Sequence, residues 1–190
     1  SFATADAPPL SPEELASLLK VAAREPPGLV LVGGQALFFW ADRYADSPRI
    51  GPLLRSAPVL SKDLDFVGGL GAPERGGARH IDLMGELETA RRLAREIPGH
   101  LTEPGIHEMS ACLAQIVCPR PAGELPITID FLREMIGVDP VDVAKTAVPI
   151  EGHLSVMDPV LCMQSRISNV LFEARYQNAH GIHQARVAIR

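Results

Sequence analysis

The fold of this 190-residue chain is constrained most by an apolar run that changes from strand-like to helix-like at two glycines. Leu29–Val32 has the composition of a short buried strand, and it leads directly into Gly33 and Gly34. The aromatic-rich segment from Gln35 to Tyr44 is typical of a helix. Glycines at such a junction let the backbone approach a ligand, and free amides at a helix N-terminus attract phosphate. The junction therefore predicts either a phosphate-binding turn or only a tight connection, and its spacing matches neither G-x-G-x-x-G nor a P-loop.

A pair of aspartates lies in a second strand-like segment, Ser61–Phe66. Because alternate side chains of a strand share a face, Asp63 and Asp65 are predicted to point the same way. Leu64 and Phe66 then point into the core. Two neighbouring carboxylates repel each other unless a cation lies between them, and hard oxygen ligands suit Mg²⁺. A solvated strand end explains the same pattern.

A third aspartate, Asp130, interrupts the apolar strand predicted at 126–132. An unpaired carboxylate inside a protein is costly. We therefore expect Asp130 at a sheet edge, beside a cation or on a metal ion, with Thr128 on the same face. An aspartate facing solvent on an edge strand is the alternative.

Composition excludes several classes of protein. Hydrophobic residues make up 46% and charged residues 22%, so a folded globular protein is expected. A net charge of −5 argues against a broad nucleic-acid-binding surface, although not against contact with an RNA end. Three cysteines without a C-x-x-C pair predict a reducing, cytoplasmic location. No apolar window is long enough to predict a membrane span, and the first residues lack the pattern of a signal peptide.

The remaining pattern predicts helices and strands separated by proline- and glycine-rich loops. Helices are predicted at 11–24, 35–44, 83–97, 140–147 and 158–176, with 182–190 as a further helical stretch. Strands are predicted at 29–32, 62–67, 112–118, 126–132 and 154–157. Loops are predicted at 46–60, with a turn of helix, at 68–79, and over most of 133–152.

Three of these segments together resemble the DNA polymerase β-like nucleotidyltransferases. They are VGG at 32–34, DLD at 63–65 and ITID at 127–130. Within that superfamily, VGGQAL, SKDLDF and the helix after Asp158 most resemble the abortive-infection (AbiEii-type) toxin nucleotidyltransferases of bacterial toxin–antitoxin systems. The likeness extends over about residues 28–175. It departs from the family at 42–60, which looks inserted, and in the helix after Asp158, where Gln164 and Arg166 stand in place of a frequent lysine.

The resemblance implies an α+β nucleotidyltransferase fold, with a mixed β-sheet flanked by helices and a C-terminal helical segment. It divides the chain into a leader and helix (1–27), a nucleotidyltransferase core (28–152) and a C-terminal helical segment (153–190). It also implies an enzyme that transfers NMP from an NTP to an acceptor hydroxyl and releases pyrophosphate. The implied acceptor is a tRNA end or a protein, and the implied partner of such a toxin is a cognate antitoxin.

The same resemblance assigns roles to individual residues. Two Mg²⁺ ions and the catalytic chemistry are assigned to Asp63, Asp65 and Asp130. Nucleotide binding is assigned to Gly33, Gly34, Gln35, Ser61, Lys62 and Arg166. For Arg166 the alternative is an exposed position on a solvated helix face.

Two other functions remain open from the sequence. The acidic composition suits a cationic acceptor, so a small-molecule, antibiotic-type nucleotidyltransferase is one alternative. A non-catalytic nucleotide-binding module of the same fold is the other, although such a module has no need of all three carboxylates.

Overall fold

The structure is a computed structural model that describes residues 8–26, 28–57, 59, 61–70, 80–105, 110–121 and 124–190. In chain order, the described helices are α1 (Pro12–Ala22), α2 (Gly33–Arg43), α3 (Gly51–Ser56), α4 (Leu83–Glu96), α5 (Pro140–Thr146), α6 (Pro159–Phe172) and α7 (Ala179–Ala188). A 3-10 turn, Ala174–Tyr176, lies between α6 and α7. The described strands are β1 (Leu29–Val32), β2 (Asp63–Gly68), β3 (His100–Thr102), β4 (Cys112–Cys118), β5 (Ile127–Leu132), β6 (Val148–Glu151) and β7 (Leu154–Val156).

The strands of the described ranges form one mixed sheet in the order β3-β4-β5-β2-β1-β7-β6. The β1–β7 and β2–β5 pairs are parallel, and the remaining neighbours are antiparallel. Helices flank this sheet, and further helices follow it at the C-terminal end. The predicted α+β architecture is therefore confirmed. The division of the chain at residues 27 and 152 stays a prediction.

The two faces of the sheet differ in polarity. Leu64 and Phe66 are buried, as alternation along β2 predicts. Gly68 lies on their face and packs against Glu86 of α4, so α4 covers this apolar side. Asp63 and Asp65 alternate with those residues and therefore face the opposite side, where α2 packs beside α6 and α7. The two aspartates of β2 thus lie on the face opposite the one that α4 covers.

The helix starts follow local sequence signals. The Ser11 hydroxyl accepts a hydrogen bond from the Glu14 amide at 3.1 Å, and the Glu14 carboxylate accepts one from the Ser11 amide at 2.8 Å. At α6, Asp158 accepts a hydrogen bond from the Val160 amide at 2.8 Å, and Pro159 occupies the first helical position. Both predicted starts are confirmed.

Several predicted element boundaries are wrong. The turn of helix expected within 46–60 is present as the six-residue helix α3, whereas the sequence pattern missed the short edge strands β3 and β6. The helix predicted to reach residue 176 ends at Phe172. Asn178 then caps a separate helix, because its side chain accepts a hydrogen bond from the Gly181 amide at 2.9 Å. Most of the predicted glycine-rich loop at 68–79, namely residues 71–79, lies outside the described residues.

Within the described part of the chain, no helix combines the length and apolar character needed to cross a membrane.

Candidate active site

The three predicted aspartates lie on two neighbouring strands and on one face of the sheet. In the parallel β2–β5 pair, Asp63 lies opposite Thr128 and Asp65 lies opposite Asp130. Neighbouring strands are about 4.8 Å apart, so this register holds Asp65 and Asp130 side by side. Residues that are distant in the sequence are thus brought together as the pattern predicted.

Two neutral side chains orient the outer carboxylates. The Thr128 hydroxyl donates a hydrogen bond of 2.7 Å to Asp63 Oδ1. The Gln115 amide, on the neighbouring strand β4, donates one of 2.6 Å to Asp130 Oδ1. Because neither donor carries a charge, these contacts fix the positions of the carboxylates without neutralising them.

Burial, together with nearby negative charge, changes the ionisation of Asp65 and Asp130. Burial raises the pKa of Asp65 to about 7, and the charges of Asp130 and then Asp63 act in the same direction. Arg166 and Arg175 oppose this shift in the pKa. Burial likewise raises the pKa of Asp130, against the opposing effect of its hydrogen bond from Gln115. A cation at this position is therefore electrostatically favoured.

The glycine junction lies directly against the aspartates. Gly33 has a φ of +68°, and a Cβ atom there lies only 2.0 Å from Asp65 Oδ2. A Cβ atom on Gly34 lies 2.6 Å from Ser61 Oγ. Both positions therefore require glycine, for conformation at Gly33 and for space at each. Val32 provides no side-chain cap to α2, so no side chain at the N-cap accepts a hydrogen bond from the first amides of the helix.

Two predicted nucleotide-binding residues hold the junction to the start of β2. The buried Gln35 donates a hydrogen bond of 3.3 Å to the Ser61 carbonyl. Ser61 Oγ in turn donates to the Asp63 carbonyl at 3.1 Å. Lys62 follows Ser61 directly and is half-buried. These hydrogen bonds hold Gln35 and Ser61 beside the glycine junction and the start of β2, and Lys62 is the residue before Asp63.

Arg166 is buried, with 7% of the residue exposed, so its interpretation as part of a solvated helix face is wrong. Its Nη1 donates to Gln184 Oε1 at 3.4 Å. The Gln184 amide nitrogen also lies 3.6 Å from the Cβ position at Gly34. Arg166 therefore belongs to the same face of the molecule as the glycine junction.

Sequence reasoning missed several side chains around the site. Gln115 and Gln184 contact predicted residues directly, and Tyr176 packs near Arg166 and Arg175. Gln115 had a usable signal, because it is a polar residue between the apolar Ala114 and Ile116 of a strand. The other contacts depend on how α6 and α7 pack, which no local pattern specifies.

The donor atoms suit a hard divalent cation, because carboxylate oxygens are the ligands that Mg²⁺ prefers. The carboxylate oxygens of the three aspartates do not converge on one position in this structure. Within the described ranges, no three His, Cys, Asp or Glu side chains converge as a metal centre. Asp63 and Asp130 are instead turned toward Thr128 and Gln115. The backbone register fits a shared ion, and side-chain rotation is needed to complete its ligand set.

Comparison with known proteins identifies the fold but no closer relationship. No family model matches the chain, and no curated protein matches it. Among solved structures, the chain is similar to the Megavirus polyadenylate synthase, with a TM-score of 0.50 and 13% sequence identity. The match covers 93% of this chain and 31% of that one, so the chain spans about a third of its neighbour's length. The chain thus shares an α+β fold with part of this synthase, and membership of the nucleotidyltransferase superfamily and of its abortive-infection subfamily stays a prediction.

Proposed function

We propose that the protein is a nucleotidyltransferase that moves NMP from an NTP to an acceptor hydroxyl. The observation that carries the proposal is the β2–β5 register, which places Asp65 opposite Asp130 beside Gly33. The fold shared with a polyadenylate synthase supports the same class of activity.

Asp63, Asp65 and Asp130 are the residues proposed to hold Mg²⁺, as two ions. When bound, such ions neutralise triphosphate charge and lower the pKa of an attacking hydroxyl. The raised pKa of Asp65 supports this assignment, because it reflects burial and, after burial, the charges of Asp130 and Asp63, and a divalent cation offsets all three.

The protein groups act by positioning and by accepting a proton. We assign the uptake of the proton of the acceptor hydroxyl to Asp130, whose carboxylate accepts a hydrogen bond from Gln115. The acceptor oxygen forms a bond to the α-phosphorus while the bond to the bridging oxygen breaks, and pyrophosphate leaves. We assign binding of phosphate oxygens to the amides of Gly33 and Gly34, assisted by the side chains of Ser61, Lys62 and Arg166. Gln35 supports this group through its hydrogen bond to the Ser61 carbonyl.

The identity of the acceptor is proposed, because the fold does not indicate it. A tRNA end or a protein hydroxyl follows from the toxin resemblance, together with a cognate antitoxin. A small cationic acceptor is the second possibility, supported by the net charge of −5. Nucleotide binding without transfer is the third, and the hydrogen bonds that turn Asp63 and Asp130 away from a common point favour it.

Transfer of label tests the proposal. The chain is incubated with NTPs labelled at the α-phosphate, Mg²⁺ and, in separate reactions, tRNA, protein extract or an aminoglycoside. We expect one acceptor to gain label and Asp65→Asn to lower the rate at least about 100-fold. Asp142→Asn, on the exposed surface of α5, is the matched control and keeps the rate. Undiminished transfer by Asp65→Asn contradicts the site, and nucleotide binding without transfer to any acceptor supports the non-catalytic module.

A further inference from the structure

The 3-10 turn between α6 and α7 brings two guanidinium groups to one aromatic ring. Arg175 Cζ lies 4.9 Å from the centroid of the Tyr176 ring, and Arg166 Cζ lies 6.0 Å from it. Both distances fall within the range of cation–π attraction. The ring therefore attracts each of the two guanidinium groups.

Arg166 retains hydrogen-bonding capacity in a buried position. Its Nε is buried and has no hydrogen-bond partner among the described residues, and its contact with Gln184 is long, at 3.4 Å. A guanidinium has five N–H donors, and a buried donor without an acceptor is unfavourable. Oxygen atoms of an anion are the acceptors that satisfy such a group best.

Arg175 is the exposed member of the pair. More than half of its side chain is accessible, and its contact with Glu173 is long, at 3.6 Å. An exposed ion pair of this kind is weak and exchanges readily for a stronger anion. The two arginines thus offer one buried and one accessible guanidinium group near the ring of the same tyrosine.

The arginine pair is continuous with the glycine junction. Gln184 contacts Arg166 through Oε1, and its Nε2 lies 3.6 Å from the Cβ position at Gly34. Both arginines also act electrostatically on Asp65. An anion held by the amides of Gly33 and Gly34 therefore has Arg166 as a neighbour, one side chain away.

We propose that Tyr176 is a positioning residue that holds Arg166 and Arg175 as a binding site for the polyphosphate end of the nucleotide. The inference rests on the proposed function for the identity of the anion. It adds a role for the turn Ala174–Tyr176, which the sequence did not single out, and for Gln184 as the link to the glycine junction. Binding energy is then concentrated on the β- and γ-phosphates and less on the nucleoside.

Calorimetric titration of the full chain with ATP, AMP and tripolyphosphate, without acceptor, tests this role. Removing the ring in Tyr176→Leu is expected to weaken ATP and tripolyphosphate binding at least about tenfold, while AMP affinity changes less than about twofold. Tyr176→Phe keeps the ring and is expected to bind all three like the unmodified chain. Tyr44→Leu, at a tyrosine stacked on Trp40, is the matched control.

The outcomes separate this inference from the proposed function. Equal weakening of all three ligands, no weakening, or a Phe variant as impaired as the Leu variant overturns the positioning role. Should Tyr176→Leu fail to fold, Arg175→Gln changes an exposed side chain and is expected to weaken ATP but not AMP. Nucleotide binding is measured here without transfer. If the affinities change as expected but no acceptor gains label, the anion site is supported and the proposed transferase function is contradicted.

Discussion

The ionised carboxylate of Asp65 lowers the free energy of unfolding, although the proposed activity requires it. In the unfolded chain it ionises near its ordinary pKa of 3.8, whereas burial beside Asp130 and Asp63 raises the folded-state pKa to about 7. The native state therefore binds more protons than the unfolded state between these two values. By linkage, the free energy of unfolding falls as the pH rises through this interval, and the contribution is favourable only at lower pH.

Replacing Asp65 by Asn removes this cost. Without divalent metal at pH 8, we expect Asp65→Asn to stabilise the chain by about 2 kcal/mol, which raises Tm by roughly 5 °C. The gain shrinks toward pH 4, where the native carboxyl is already neutral. Thermal unfolding followed by circular dichroism at several pH values measures it, with Asp142→Asn as the exposed control. A Tm at pH 8 equal to or below that of the unmodified chain contradicts the electrostatic account.

At the scale of elements, the junction between β1 and α2 is the most demanding local structure. Gly33 combines a positive φ with close packing against Asp65, and Gly137 has a similar φ of +73° but packs against Ser168 of α6. Both glycines therefore require a positive φ, but only Gly33 lies against the aspartates. Gly137 serves as the control for Gly33.

Alanine at either glycine is expected to destabilise the chain by about 1–3 kcal/mol, because an L-residue is strained at positive φ. Only Gly33→Ala displaces the Asp65 carboxylate, so only this variant is expected to lose nucleotide binding. Urea unfolding and calorimetric titration with ATP measure the two effects. Equal losses of ATP affinity in both variants would mean that Gly33 has a structural role alone.

The sequence predicts elements well where a signal lies within the element. Capping residues mark the starts of α1 and α6, and alternation along β2 predicts which side chains are buried. The edge strands β3 and β6 are only three and four residues long. Their pairing with β4 and β7 makes them strands, since so few residues have no recognisable period of their own.

At the scale of the whole molecule, the aspartate cluster was predictable and its surroundings were not. A charged residue inside an apolar strand is conspicuous, so Asp65 and Asp130 could be found from sequence. Their exact register and the burial of Arg166 depend on the order of the strands and on the packing of α6 and α7. The sequence pattern predicted a helix that continues to Tyr176, whereas α6 ends at Phe172. The position of Tyr176 beside Arg166 therefore could not be predicted from the sequence.

The central claim is that Asp65 and Asp130 hold the same divalent ion. Titration with Mn²⁺ in the presence of ATP, followed by electron paramagnetic resonance, tests it most directly. We expect Asp65→Asn and Asp130→Asn each to weaken the same Mn²⁺ site at least about tenfold, with no change in Asp142→Asn. Unchanged Mn²⁺ affinity in Asp130→Asn would show that the two strands do not share an ion and would contradict the account.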